Sequence, residues 1–567
     1  MTQNTHKYLL LAKSCVLILI ILFAVTNLTW AAPPTRTDIE EQNRKARQVE
    51  QDRIQRDQGK DVFLQKEKKG MEKIKLPDET PSFFVNTFEI VGASEGRFYW
   101  LNELVNEYQA QKIGVQSINL IVKRLTNALI DRGYTTSRVL IPEQDLSQGT
   151  LRLVLIPGKV REIRFKDSTF YGNWRNALPI RPGDIFNLRD LEQGLEQMKR
   201  VPSQDVNYEL VPGPNPGESD VVITVQRTNS LKVTLSLDNS GIEATGKLQF
   251  YKTISIDNLF NSNDIFNISF SNDIDRKGWR RGTKGDSLYY SIPYGKTTFS
   301  FSNSHNKYHQ AISGINQTFV YSGETENNEF SIKHLLNRDQ TSKTHLDVSV
   351  IKSISRSYLD DTEINVQKKN TTALRVGVSQ RKFIGQSVFD WSIADKIGVP
   401  WIGAQDDMRS DYGDNPTTRF NIWTLDAGYT TPVTFGKTKA QYRLNIKAQY
   451  SKNHLYGSEH FSIGNRYTVR GFDGEETLAA ETGWYIQNEL GIPINSGDGE
   501  VYVGLDHGRV SGPSSQELAG KSLTGAVIGI RGGKTLQYDV FVGWPLKKPD
   551  RFTTASTTYG FSTSIQI

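Results

Sequence analysis

Cysteine is almost absent from this chain of 567 residues, and so are long apolar runs. The single cysteine, Cys15, precedes the one strongly apolar stretch, Val16–Val25. Basic residues before that stretch and a small-residue site ending at Ala31 are typical of a secretory signal peptide, so we predict that residues 1–31 are cleaved. The alternative is an uncleaved anchor helix. The mature chain would then lack cysteine, which excludes disulfides and thiolate metal sites. With a mean hydropathy of −0.48, a helical membrane protein is also excluded.

Basic clusters and metal-binding clusters are missing as well. The net charge is only +6, and basic and acidic residues are interspersed. Nucleic-acid binding needs a concentrated basic face, so no nucleic acid is expected as a partner. Of the 8 histidines, His305 and His309 are close in sequence but lack neighbouring carboxylates, so we predict no metal and no cofactor. We find no phosphate-binding loop and no hydrolase motif, so we expect neither a nucleotide partner nor enzymatic activity.

The segment after the predicted cleavage site is polar on all sides. We predict one helix at 32–58, opened by a capping box formed by Thr37 and Glu40. Such a helix cannot bury a face in an apolar core. It is therefore either solvated or lodged in a water-filled cavity. Residues 59–81 follow as a charged linker.

Two similar α/β units come next, at 82–158 and 159–228, each with the order β-α-α-β-β. In the first unit the apolar periodicity predicts a strand at 85–91, helices at 101–111 and 117–131, and strands at 137–141 and 150–156. In the second it predicts a strand at 160–165, a short helix at 173–178, a helix at 188–201, and strands at 207–211 and 221–226.

From residue 229 to the C-terminus the pattern changes to period two. Apolar residues alternate with small, polar or charged ones, as in Leu231, Val233, Leu235 and Leu237. Alternating segments of about ten residues with a polar inner face are typical of outer-membrane β-barrels, and this length gives about 16 strands. We therefore predict a mostly β protein with a closed transmembrane antiparallel barrel, because an open sheet edge would leave backbone groups unpaired in lipid. A large soluble β-protein is the alternative.

One part of this region is too irregular to be a strand. Val469, Arg470, Gly471 and Phe472 stand in a connection of roughly 30 residues, a length that is usually functional or disordered. Further on, a strand reads Gly504-Leu505-Asp506, and the pleat points Gly504 and Asp506 into the lumen. A carboxylate there needs a cation, and arginine offers a two-pronged one. We expect Arg470 to anchor an inward loop to Asp506; the alternative is a surface arginine on an outer loop.

This combination resembles the outer-membrane translocators of two-partner secretion, which include haemolysin, filamentous-haemagglutinin and contact-dependent-inhibition transporters. The resemblance covers the whole predicted mature chain. It implies that the α/β units are periplasmic polypeptide-transport-associated (POTRA) domains, that the barrel has about 16 strands, and that the N-terminal helix plugs it. It also carries the motif Val469–Phe472 and its partner Asp506. The chain departs from the family at its last residue, Ile567, where an aromatic residue is common.

The resemblance implies a function. The chain would export a secreted exoprotein partner in unfolded form from the periplasm to the cell surface, as a monomer in contact with outer-membrane lipid. For capture of the partner we predict the strand edge formed by Arg138, Val139, Leu140 and Ile141, which could accept an extended peptide as an added strand. A barrel-assembly insertase, a passive porin and a secreted adhesin are the alternatives.

Overall fold

The structure is a computed structural model that describes residues 36–58, 61–63, 74–93, 96–275, 277–314, 317–407, 415–494 and 498–567. The predicted signal peptide and residues 59–60 and 64–73 of the predicted linker lie outside these ranges. Within them, no helix combines the length and the apolar character needed to cross a membrane. The described α-helices are α1 (Arg36–Gln58), α2 (Trp100–Asn106), α3 (Val115–Asp131) and α4 (Leu188–Lys199).

The first α/β unit contains five short strands. They are β1 (Ser82–Val85), β2 (Thr87–Val91), β3 (Gln111–Gly114), β4 (Arg138–Leu140) and β5 (Thr150–Ile156). Its sheet has the order β2-β5-β4, and β1 pairs separately with β3. Helices α2 and α3 close the core over this sheet through buried side chains such as Leu101, Ile121 and Leu153.

Two predictions for this unit need correction. The predicted strand at 85–91 begins two residues later, as β2, because the chain is interrupted at Asn86, where the backbone N–H groups of Asn86 and Thr87 both donate to the carbonyl oxygen of Gly149. The helix predicted at 101–111 is too long, and β3 is a strand that the prediction lacks. The helix instead stops early, and Ala110 adopts a left-handed φ of 55°, which reverses the chain and brings β3 beside β1.

The second unit contains β6 (Lys159–Phe165), β7 (Gln204–Pro212) and β8 (Glu218–Arg227), in the order β6-β8-β7. Helix α4 packs on this sheet through Leu188, Leu191 and Leu195. The short helix predicted at 173–178 is wrong, because the segment forms a turn. The side chain of Asn173 accepts from the N–H of Arg175, and local bonds of this kind compete with helix formation.

The rest of the chain forms a closed barrel of sixteen long antiparallel strands, which confirms the predicted number. They are β9 (Leu231–Asp238), β10 (Gln249–Asp257), β11 (Ile265–Asp273), β12 (Arg281–Tyr294), β13 (Thr297–Ser313), β14 (Thr318–Arg338), β15 (Ser342–Leu359), β17 (Lys369–Ile384), β18 (Ser387–Gly398), β19 (Asn421–Phe435), β20 (Thr438–Tyr450), β23 (Thr482–Pro493), β24 (Gly499–Ser511), β25 (Ser522–Gly532), β26 (Leu536–Lys547) and β27 (Thr558–Gln566). The two-residue strand β16 (Thr362–Glu363) adds to β15, and β21 (Phe461–Ile463) pairs with β22 (Leu478–Ala480) apart from the wall.

The last strand closes the barrel against the first, with Ser562 opposite Asp238 and Gln566 opposite Thr234. We call the end at which β9 begins, beside the second α/β unit, the near end, and the opposite one the far end. Strand β14 has 21 residues, about twice the nine to eleven that a transmembrane strand needs, so the part of the wall that contains β14 extends beyond a bilayer.

The two faces of the wall differ as the alternation requires. On β24, Val503 and Leu505 are 45% and 52% exposed on the outside, whereas Asp506 is completely buried on the inside. Neighbouring strands therefore offer an apolar band to lipid and polar groups to the lumen.

Candidate functional site in the barrel lumen

The connection between β20 and β23, residues 451–481, turns into the lumen, and we call it the inward loop. It carries β21 and β22 and packs into a small apolar cluster that it shares with residues outside the loop, such as Tyr485 and Leu523. Val469 and Phe472 are buried there, and the ring of Phe472 packs edge-on against Phe552 with centroids 5.8 Å apart. The inward loop is therefore packed inside the barrel and is not a solvent-exposed surface loop.

The side chain and the backbone of Arg470 both bind Asp506. The backbone N–H donates to Oδ2 over 2.9 Å, Nε donates to the same oxygen over 2.7 Å, and Nη2 donates to Oδ1 over 2.9 Å. Asp506 has no exposed surface. A buried carboxylate that accepts three bonds from one arginine is a strong and directional contact, because both partners are charged.

A second carboxylate completes this anchor, and the sequence reasoning missed it. Nη1 of Arg470 lies 2.5 Å from Oε2 of Glu489 on β23. Glu489 also accepts a hydrogen bond from Arg443 over 3.3 Å and another from Arg531. The period-two pattern of β23 could have placed Glu489 on the lumen face. Its contact with Arg470 could not have been predicted, because that contact depends on the register that sets Glu489 opposite Gly504.

Glycines on the wall give the loop room to approach. A Cβ atom on Gly504 would lie 2.6 Å from Nη2 of Arg470, and one on Gly525 would collide with the carbonyl oxygen of Arg470. On the loop itself, Gly471 has a φ of +100°, in the region that favours glycine. The wall and the loop are thus matched at the level of the backbone.

Helix α1 occupies the lumen beside this loop. Near the far end, Oγ1 of Thr37 lies 2.6 Å from the hydroxyl of Tyr308 and 2.9 Å from that of Ser357. The predicted capping box is wrong, because the helix begins at Arg36 and Thr37 already lies within it; Thr37 instead binds the barrel wall, and Glu40 accepts a bond from Thr245 over 2.6 Å. With 23 residues, α1 is about 35 Å long, enough to run the length of the pore.

The other side of α1 rests on the inward loop. Gln42 donates to the carbonyl oxygen of Gly457 over 2.6 Å, and Lys45 donates to that of Ser458 over 2.7 Å. The polar character of residues 37–48 of α1 follows, because their side chains meet hydrogen-bonding groups of the wall on one side and of the inward loop on the other. Of the two alternatives for this helix, the structure shows the one lodged in a cavity.

Charged residues hold the chain after α1 at the near end of the barrel. We call this group the near-end clamp: Asp61, Glu196, Arg338, Lys343 and Arg381. Arg338 donates to Glu196 over 2.9 Å and to the carbonyl oxygen of Val62, while Lys343 lies 2.5 Å from Glu196 and also binds Asp61. Arg381 reaches Asp61 over 3.0 Å.

Glu196 belongs to α4 of the second unit, so the clamp ties three parts of the chain together. Burial alone would raise the pKa of the Glu196 carboxyl, but the charges of Lys343 and Arg338 outweigh it and hold the pKa at about 2. The carboxylate is therefore ionised at any physiological pH.

The residues predicted to capture a partner belong to the first α/β unit, where Arg138, Val139 and Leu140 form β4 and Ile141 follows it directly. Among the described strands β4 pairs only with β5, so its other edge is open. Leu140 and Ile141 are 48% and 42% exposed, whereas Val139 is buried in the core of the unit. The guanidinium of Arg138 donates to the carbonyl oxygens of Thr135 and Ser137.

Comparison with known proteins agrees with this architecture. The haemolysin secretion/activation protein family ShlB/FhaC/HecB matches residues 217–532, the ShlB-type POTRA domain matches residues 83–158, and a further POTRA domain matches residues 159–212. The chain belongs to the ShlB/FhaC/HecB family. It is a two-partner secretion translocator of the outer membrane, with its POTRA domains in the periplasm and an exoprotein as its partner.

Individual relatives are similar over most of their length. Outer membrane transporter CdiB-2 of Burkholderia pseudomallei is 42% identical over 512 residues, which cover 87% of this chain and 88% of the relative. Hemolysin transporter protein ShlB of Serratia marcescens is 27% identical, covering 77% of this chain and 78% of the relative. The solved structure of CdiB from Acinetobacter baumannii is 27% identical, with a TM-score of 0.84 over 95% of this chain and 100% of that one. The near end of the barrel is therefore periplasmic and the far end faces the cell exterior.

Proposed function

We propose that this translocator passes its exoprotein through the barrel lumen as an unfolded chain, and that the described structure is its closed state. The observation that carries the proposal is the position of α1, which runs along the pore and bonds to the wall on one side and to the inward loop on the other. Export then requires α1 to leave.

The contacts of α1 suit a reversible plug. Those of the described side chains, at residues 37–48, include hydrogen bonds and ion pairs, such as the one of 2.5 Å between Asp38 and Lys369. Water can replace such bonds at a small net cost per bond, whereas an apolar helix would have to expose its packed face. An α-helix with its side chains is about 10–12 Å wide, so the space it vacates suits an extended polypeptide and not a folded domain.

Capture begins on the first POTRA domain in this proposal. The open edge of β4 offers backbone groups for an added strand, and Leu140 and Ile141 offer apolar contacts beside it. Val139 contributes only its backbone, since its side chain belongs to the core. A single chain closes the whole barrel, which supports a monomer as the working unit.

For the identity of the cargo we propose a contact-dependent-inhibition exoprotein. The family implies haemolysins, adhesins or such toxins, and the relative of 42% identity is named outer membrane transporter CdiB-2. Secretion of the exoprotein encoded beside this chain, followed by a growth-competition assay, tests this identity, and a secreted exoprotein that does not inhibit competing cells would contradict it.

A disulfide lock tests whether α1 must leave. The hydroxyl oxygens of Thr37 and Ser357 are 2.9 Å apart, so Thr37→Cys with Ser357→Cys places two thiols within bonding reach. We expect the oxidised double variant to reach the outer membrane but to secrete no exoprotein, and a reductant to restore secretion. Normal secretion with the disulfide intact would contradict the proposal.

The matched control moves one cysteine along the same strand. Ser349 lies on β15 eight residues before Ser357, and so roughly 27 Å away. The pair Thr37→Cys and Ser349→Cys cannot form the bond, and we expect it to secrete under oxidising and reducing conditions alike.

A further inference from the structure

The second POTRA domain exposes an aromatic side chain that its own fold does not explain. Tyr171 is 82% exposed, in the segment between β6 and α4. Its neighbour Phe170 packs edge-on against Phe165, with centroids 4.8 Å apart. The segment is thus fixed to the domain, while Tyr171 stands clear of the core.

This segment lies at the periplasmic rim of the barrel. Arg227 joins the two, because it donates to the carbonyl oxygen of Tyr171 over 3.1 Å and to Oδ1 of Asn261 over 3.2 Å. The guanidinium also covers the ring of Phe170 at 4.5 Å. Asn261 belongs to the turn between β10 and β11, so Tyr171 is held beside that turn.

The same turn presents apolar side chains at the edge of the lipid-facing wall. Leu259 and Phe260 are 44% and 67% exposed. The ring of Phe260 meets that of Tyr290 edge-on at 6.0 Å, and Tyr290 stands opposite Phe266 in the wall. Transmembrane barrels carry girdles of aromatic residues where the wall passes from hydrocarbon to water.

We propose that Tyr171 extends this girdle and enters the headgroup region of the periplasmic leaflet, so that the second POTRA domain binds lipid. The surface is continuous with the lipid-facing wall through Phe260, which makes phospholipid the occupant. A tyrosine ring suits that depth, since its body is apolar and its hydroxyl is polar. The contact orients the domain against the membrane in addition to its bonds with the barrel.

Site-specific quenching in vesicles tests the proposal. The protein is prepared in its mature form, which contains no cysteine once residues 1–31 are removed, with one new cysteine, Tyr171→Cys, labelled with a small fluorophore and reconstituted in phospholipid vesicles. The vesicles contain a lipid that carries a spin-label quencher near its headgroup. Phe260→Cys serves as the rim reference, and Tyr99→Cys, a 55% exposed aromatic position on the first POTRA domain, serves as the matched control.

We expect the label at 171 to be quenched as strongly as the label at 260 and several-fold more than the label at 99. Quenching at 171 no greater than at 99 would overturn the proposal. The proposal would also be overturned if lipid did not quench the label at 171 but added unfolded exoprotein shielded it from solvent, because the surface would then bind the exoprotein. Heat-modifiable migration in gels verifies in each variant that the barrel is folded.

Discussion

Replacing Arg470 by lysine tests how much its contacts with Asp506 and Glu489 stabilise the closed position of the inward loop. The guanidinium makes two bonds to Asp506 and one to Glu489, and the backbone N–H makes a further bond to Asp506. Lysine keeps the charge and the backbone bond but cannot bridge both carboxylates. Hydrogen bonds to charged groups contribute about 1.5–3 kcal/mol each. Since water and the new ammonium recover part of this loss, we expect the closed loop to be destabilised by about 2 kcal/mol.

Loop opening can be measured by thiol labelling. Ala479 lies in the inward loop and is 1% exposed, so Ala479→Cys is reactive only when the loop opens. A loss of about 2 kcal/mol corresponds to a rise of about 30-fold in the open fraction, and so in the labelling rate by a maleimide. We expect secretion to fall in the same variant.

The control changes a neighbouring cation instead. Arg443→Lys perturbs a contact of Glu489 but no contact of the loop, and we expect its labelling rate to stay within a few-fold of the parent. An unchanged labelling rate in Arg470→Lys, with the barrel folded, would refute the claim that this ion pair holds the loop in place.

Three further perturbations have defined outcomes. Gly525→Ala should force the carbonyl of Arg470 away from the wall, destabilise the closed loop by about 1–3 kcal/mol and raise the same labelling rate; an unchanged rate would show that the wall can yield. The pKa of the Glu196 carboxyl is lowered from 4.5 to about 2. Its ion pairs therefore stabilise the folded state fully above pH 4.5, and this stabilisation is lost as the pH falls towards 2. The protection factors of the α4 amides, which are the exchange rates corrected for the intrinsic pH dependence of amide exchange, should therefore stay constant from about pH 8 to about pH 5, and a change in that window would contradict the role of the clamp. Ile141→Asp should weaken binding of the unfolded exoprotein to the purified translocator about tenfold, and unchanged affinity would move the capture site elsewhere.

The barrel could be predicted from the sequence because each of its strands separates lipid from water. That separation imposes the period-two pattern along β24 and its neighbours, whatever the details of packing. The unusual length of the inward loop could also be predicted. Arg470 was a candidate because it lies in a segment too irregular to be a strand. These features depend on local patterns and not on long-range register.

Other features depended on contacts that no local pattern encodes. Glu489 joins the anchor only because β23 and β24 pair in one register. Thr37 looked like a helix cap, but the hydroxyls of Tyr308 and Ser357 compete for it from strands more than 270 residues away. The start of the strand predicted at 85–91 was misplaced because Asn86 and Thr87 bond to Gly149, which lies more than 60 residues further along the chain.

The central claim is that the lumen holds α1 at rest and the exoprotein during export. A photo-crosslinking residue at Asn327 tests it directly, because this wall position bonds to Glu41 of α1 over 3.3 Å. Phe330, 47% exposed on the outer face of the same strand, serves as the control. We predict a crosslink from 327 to α1 without cargo, and to the exoprotein when export is stalled. Exoprotein that crosslinks equally from 330, or never from 327 during stalled export, would contradict passage through the lumen.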